Sequence, residues 1–214
     1  MELWDISPPV DARSPVFPGD TAYRQEWTAS LGPGCPVNVA AVTLSPHVGA
    51  HADAPLHYEN TGAAVGHLDL APFLGPCRVI HAMARPGGPQ GRLVRWEHLA
   101  HRIGAGLPPR VLVRTYPRAP TDLFDADLAA FDPETIEKLA DLGVQLIGID
   151  SASIDPSDSQ QLPSHQVIRR RGLRVLENLL LDAVPEGDYE LIALPLKWMT
   201  ADASPVRAVL RALA

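Results

Sequence analysis

Between positions 47 and 57 the chain spaces His47, His51, Asp53 and His57 so that no single regular element can gather them. As one strand, the four odd-numbered residues would share a face but spread over about 33 Å. As one helix, His47 and His51 would be neighbours while Asp53 lay on the far side of the cylinder. Gly49 permits a sharp turn and Pro55 removes a backbone donor, so the segment is expected to wrap around something as a folded loop. His51 and Asp53, two apart in a locally extended stretch, should point the same way. Imidazole nitrogen and carboxylate oxygen suit zinc and its neighbours, and the segment has no thiolate. A lone histidine is more often a surface or satisfied core residue than a ligand. Four such groups in a His-x3-His-x-Asp-x3-His string favour an open, catalytic metal site.

The remaining composition narrows what such a site can serve. With 214 residues and 46% apolar content, the chain can bury one substantial core, and residues 1–214 read as a single domain. A formal charge of −7 leaves no basic footprint, so a small molecule is expected as partner, with no nucleic acid and no membrane surface. Cys35 and Cys77 lack the spacing of a thiolate site or redox pair and read as ordinary cysteines of a reducing compartment. Met1-Glu2-Leu3-Trp4-Asp5 carries neither a basic region nor an apolar run, and no stretch is long enough to span a bilayer, so a cytoplasmic location is expected. The 22 prolines are scattered as turn markers, which predicts short elements joined by rigid turns.

Val37–Leu44 is rich in β-branched residues and runs into the histidine segment, placing the first cluster at a strand end. Cys77–Ala82, Arg110–Thr115, Val144–Asp150 and Tyr189–Leu194 read as further strands. A helix is predicted before the third of these, with Asp132 as cap, Pro133 at its first position, Ile136, Leu139 and Leu142 on one face and Gly143 at its end. Ser204-Pro205 is expected to open a terminal helix carrying Val206, Val209, Leu210 and Leu213. Strands dominate the first half and alternate with helices in the second, which favours a mixed α/β domain with some antiparallel pairing.

A second cluster follows Gly148-Ile149-Asp150 and leads to His165, with Glu177 twelve residues later. An unbroken helix would separate those two by about 18 Å, so they can share a site only if Gly172 breaks the path. Together with Leu3–Pro9, Pro15–Asp20, Gly49–Tyr58, Leu74–Ile80, Leu191–Lys197 and Asp202–Arg207, these residues resemble the cyclase-like metal-dependent hydrolases and, within them, the bacterial kynurenine formamidase branch. Ala50, where the wider group commonly has threonine, is typical of that branch. The resemblance implies a swivelling β/β/α architecture, a homodimer and two zinc ions per subunit, with manganese left open as the occupant. It places His47, His51 and Asp53 on one ion and His165 and Glu177 on the other, Asp53 and Glu177 bridging. It sets His57 at the catalytic acid/base position and Phe17 at an aromatic substrate contact. The implied substrate is N-formyl-L-kynurenine.

That chemistry is coherent with the residues. Paired metals can activate water and polarise an amide carbonyl, and a spare imidazole can move a proton to the departing aniline nitrogen. A related hydrolase acting on another aryl or cyclic amide fits the same motifs. A serine hydrolase is disfavoured because Ser151 and Ser153 lack the Gly-x-Ser-x-Gly frame. A metal-stabilised binding module would leave no spare base, whereas His57 is left over. Asp150 could orient a ligand histidine, with a turn role at least as favoured. His67, His81, His98 and His101 read as structural or solvated, and Arg169-Arg170-Arg171 as a charged face.

Overall fold

The computed structural model describes residues 2–83 and 92–213. In chain order its elements are β1 (Leu3–Asp5), β2 (Arg24–Ala29), β3 (Val39–Thr43), β4 (His51–Asp53), α1 (Pro55–Tyr58), β5 (Leu74–His81), β6 (Leu93–Val94), α2 (Trp96–Leu99), β7 (Arg110–Arg114), β8 (Ala130–Phe131), α3 (Pro133–Asp141), β9 (Leu146–Ile149), α4 (Pro163–Arg171), β10 (Arg174–Glu177), β11 (Gly187–Ile192), β12 (Ala203–Pro205) and β13 (Val209–Ala212). Nine strands form one mixed sheet in the order β1-β13-β11-β5-β7-β9-β10-β4-β12. Its centre, β5 to β10, is parallel, and the strands to either side pair antiparallel.

The near-continuous apolar runs of the central strands follow from burial on both faces. Val79, Leu112, Leu146 and Leu176 enter one core cluster, while their chain neighbours Ile80, Val111, Ile147 and Val175 enter the other. This is the two-residue alternation of a pleated strand. The second face is covered by α3 and α4, through Ile136, Leu139, Val167 and Ile168. Helix α3 begins as expected, with the Asp132 carboxylate accepting from the Glu134 N–H and Pro133 in the first turn. Helix α4 ends at Gly172, which holds φ +66°, a left-handed cap that turns the chain directly into β10.

The terminal helix expected from Ser204-Pro205 does not form. Residues 203–205 are β12, and Val209–Ala212 form β13, hydrogen-bonded between β1 and β11. Leu210 is fully buried while Leu213 is 47% exposed, so the pattern that suggested a helical face has a two-residue inside-outside logic at its centre. Two neighbouring strand edges satisfy the backbone of β13 on both sides, which outweighs a short and weak helical periodicity. The Ser204 hydroxyl accepts from the Leu196 N–H and caps no helix.

Strands β2 and β3 form a hairpin apart from this sheet, and its residues are mostly exposed. Its base closes where the Ser45 N–H donates to Thr21, two residues before His47.

Candidate metal centre

The histidine segment is a loop, a strand and a turn of helix in succession. Residues 47–50 make a bend with Gly49 at φ +69°, β4 carries His51 and Asp53, and α1 carries His57. Strand β4 lies between β10 and β12, and its register sets Glu177 opposite His51 and Ala203 opposite Asp53. Helix α4 packs alongside and delivers His165. The break at Gly172 therefore brings His165 and Glu177 together as the sequence required.

Five side chains converge. Asp53 Oδ1 lies 3.1 Å from His47 Nδ1 and 3.4 Å from His51 Nε2, while its Oδ2 lies 3.3 Å from His165 Nε2. Glu177 divides in the same way, Oε2 at 3.3 Å from His51 Nε2 and Oε1 at 3.6 Å from His165 Nε2. Each carboxylate thus faces both sides of the cluster with different oxygens. His51, Asp53, His165 and Glu177 are buried to within 3% exposure.

Each histidine has its other nitrogen tied by an acceptor that fixes the tautomer. His51 Nδ1–H donates to the Gly49 carbonyl at 2.9 Å, His165 Nδ1–H to Asp155 at 2.7 Å and His47 Nε2–H to Asp202 at 3.0 Å. In all three the remaining nitrogen turns its lone pair inward, as in histidines that ligate a metal. His51 Nε2 and Asp53 Oδ1 are buried without any hydrogen-bond partner, a costly arrangement unless a cation sits between them. The electrostatics agree. Burial works against charge on His47 and His165, yet the hydrogen bonds from His47 to Asp202 and from His165 to Asp155, with the Asp53 carboxylate facing both rings, raise both to about 10. Burial pushes Asp53 up, but the imidazoles hold it well below the usual carboxylate range. The carboxylates demand positive charge, which protons or divalent ions can supply. The donor set therefore fits one or more divalent cations.

His57 stands at the rim, its side chain 31% exposed, with its ring 4.3 Å from that of His47 and 5.8 Å from that of His165. Its Nδ1–H donates to Asp202 at 3.2 Å. The cluster opens into a cavity of about 380 Å³ lined on its apolar side by Phe17, Leu123, Phe124, Leu128 and Leu162. Phe17 meets Phe124 edge to face, ring centres 5.1 Å apart. Leu162 at φ 47° and Asn178 at φ 55° are the non-glycine residues in the left-handed region among the described residues, and both line this cavity. At Leu162 this carries backbone strain of about 1–2 kcal/mol, whereas asparagine adopts the region more readily.

A family model described as putative cyclase matches residues 4–156. The chain belongs to the putative cyclase family. Among curated relatives, a kynurenine formamidase from Delftia acidovorans is 72% identical over 212 residues, covering 99% of this chain and 98% of the relative. A kynurenine formamidase from Bordetella pertussis is 66% identical over 212 residues, covering 99% of each. A solved structure described as a potential metal-dependent hydrolase with cyclase activity superposes with a TM-score of 0.81 at 25% identity, covering 98% of this chain and 96% of its own. An isatin hydrolase bound to thioisatinate has a TM-score of 0.79 at 22% identity, covering 98% and 91%, and shares the fold. The mixed α/β architecture expected from the sequence is thus that of the cyclase family.

Sequence reasoning missed several residues of this cyclase-family site. Asp155 orients His165 and also accepts the Ser164 and His165 N–H groups, capping α4 from the loop that leads into it, where Leu162 offers no cap. Asp202 reaches two histidines at once. Tyr116, Phe124 and Asp125 come from the loop after β7, joined by a Tyr116 hydroxyl donated to Asp125 at 2.9 Å. The segments containing Asp155 and Asp202 stood out in the sequence, yet a single carboxylate at no fixed spacing from a histidine gives no local signal. Asp150 takes the turn role, accepting N–H bonds from Thr115 and Tyr116, and burial raises its carboxyl to about 6. Ser151 is buried with its hydroxyl donated to the Ala129 and Ser153 carbonyls, so it has no base partner. His101 is not simply solvated: Glu186 lies 2.9 Å from it, and His81 bonds the Val184 carbonyl. Arg169, Arg170 and Arg171 pair with Glu59, Glu137 and Asp141 on the surface.

Proposed function

We propose that this chain, as one domain, hydrolyses N-formyl-L-kynurenine to L-kynurenine and formate. The observation that carries the reading is 72% and 66% identity to kynurenine formamidases over essentially the whole length of both partners. In this reading His47, His51 and Asp53 would hold one ion and His165 and Glu177 a second. The split of both carboxylates across the cluster and the inward lone pairs support it. Zinc is our assignment for both sites, with manganese as the competing occupant. Divalent ions held there would supply the Lewis acidity that brings the pKa of water to about 7 and polarises the formyl carbonyl.

The residues do the rest. In this reading the aryl ring lies against Phe17 and Phe124 with the formyl group toward the histidines, which the apolar lining of the cavity supports. His57, at the rim of the cluster and open on one side, takes the proton that water loses as it adds to the formyl carbon. When the carbon–nitrogen bond breaks, its electron pair stays on the aniline nitrogen, and His57 Nε2 returns the proton there.

We place the working form as a cytoplasmic homodimer. The exposed β2–β3 hairpin, carrying Trp27, Val39 and Val42 outward, supports self-association, and the free cysteines Cys35 and Cys77 suit a reducing compartment. No helix among the described residues is long and apolar enough to cross a membrane. The decisive assay is N-formylkynurenine hydrolysis by the purified protein, with metal analysis on the same sample. Kynurenine and formate released in equal amounts, and lost on chelation, support the reading. Undiminished turnover by metal-free protein, or no turnover of this substrate by metal-loaded protein, overturns it.

A further inference from the structure

Among the described residues, Asp202 is the carboxylate hydrogen-bonded both to a histidine of the inner cluster and to the rim histidine. It lies immediately before β12, where pairing with β4 and the Ala54 N–H donated to the Asp202 carbonyl at 2.8 Å fix its backbone beside α1. The turn at 65–67 holds the preceding stretch, with Val65 N–H donating to Ala201 and Gly66 N–H to Trp198. From that fixed point a single oxygen, Oδ2, accepts from His47 Nε2 at 3.0 Å and from His57 Nδ1 at 3.2 Å. Both rings are thereby held to the tautomer that leaves their other nitrogen free of Asp202, Nδ1 of His47 beside Asp53 and Nε2 of His57 on a ring that lines the cavity.

We propose that Asp202 is a positioning residue with two separable duties: it orients His47 as a metal ligand and His57 as the proton carrier, locking the two rings to each other. The inference rests on the ligand and acid/base assignments proposed above. Loss of an orienting acceptor behind a ligand histidine costs about 10–100-fold in metal affinity, and misplacing a proton-transfer group by about 1 Å costs on the order of 100-fold in rate.

The test is a cycle of Asp202→Ala, His57→Ala and the double variant, each assayed for kcat, KM, zinc affinity by chelator competition, and thermal unfolding. Asp202→Ala should lower kcat on the order of 100-fold with KM nearly unchanged, and weaken zinc binding about 10–100-fold. Added to His57→Ala, it should cost little further in kcat, because both act through one ring, yet weaken zinc as much as before. Asp202→Asn, which keeps an oxygen able to accept from both rings, should recover most of the zinc affinity. A full multiplicative loss of kcat in the double variant would overturn the link to His57, and unchanged zinc affinity in Asp202→Ala the link to His47. Wild-type turnover by His57→Ala would instead bring down the acid/base assignment, and with it Asp202's duty toward His57.

Discussion

The inner residues of the site separate into those that touch the cluster and those that aim them, and substitution should tell the two apart. Glu177 supplies oxygens to both sides of the cluster, so Glu177→Ala should lose metal and turnover together. His57→Ala should keep its metal and lose about 10²–10⁴-fold in kcat, the usual worth of a positioned acid/base group. Metal analysis and steady-state kinetics on the two proteins check this, and equal metal loss in both would make His57 a ligand. Asp155 aims His165 through a 2.7 Å hydrogen bond. Asp155→Ala should weaken metal binding about 10–100-fold in a chelator competition, with the remaining metal-loaded fraction still active. His47, His51 and Asp53 are legible in the sequence as a cluster because dense histidine spacing is a local fact, whereas His165 and Glu177 enter through the family resemblance, the break at Gly172 only permitting them to meet. Asp155 and Asp202 are not legible: Asp155 meets His165 only through the shape of the loop leading into α4, and Asp202 meets His47 and His57 only when a strand distant in sequence is brought alongside.

At the scale of elements, the strands and α3 were readable wherever the pattern was long and its caps explicit, as with Asp132, Pro133 and Gly143. Strand β13 was not. Four residues with two apolar positions carry too little periodicity to choose between helix and strand, and the choice is made by the open edges of β1 and β11. Leu210→Ala should therefore cost about 2–5 kcal/mol in chemical denaturation, the range for a buried leucine in a sheet core. The junction before β11 gives a pH prediction. Burial acts to raise the Glu186 carboxyl, but bonds from the His81 N–H, His101 and Arg102 outweigh it and bring it to about 2. The folded state therefore holds this proton more weakly than the unfolded chain, whose glutamate titrates near 4.5. Its stabilisation is present above about pH 4.5 and disappears as the pH falls toward 2. Denaturation midpoints of Glu186→Gln should accordingly lie below wild type at neutral pH and converge with it in acid, and a gap that persists at pH 2 would contradict the assignment.

At the scale of the molecule, the β2–β3 hairpin stands apart from the main sheet and is mostly exposed among the described residues. The register sets Trp27 opposite Ala40 and Gln25 opposite Val42, so Trp27 and Val42 lie on one face, and both are about half exposed. Large apolar side chains clustered on an isolated two-stranded ribbon are costly to leave in water, and such a ribbon is marginally stable by itself. The hairpin's base is also tied to the site, because the Ser45 hydroxyl donates to Asp20 at 3.0 Å and both residues line the cavity that holds Phe17. A second copy seated on this arm would cover the apolar face and steady the cavity wall with one set of contacts. Trp27→Glu places a charge at the centre of that face without touching the cluster. Sedimentation should then show a shift from dimer toward monomer, with metal content retained and KM raised more than kcat is lowered. A monomeric wild type, or a Trp27→Glu dimer as stable as the parent, would place the self-association surface elsewhere.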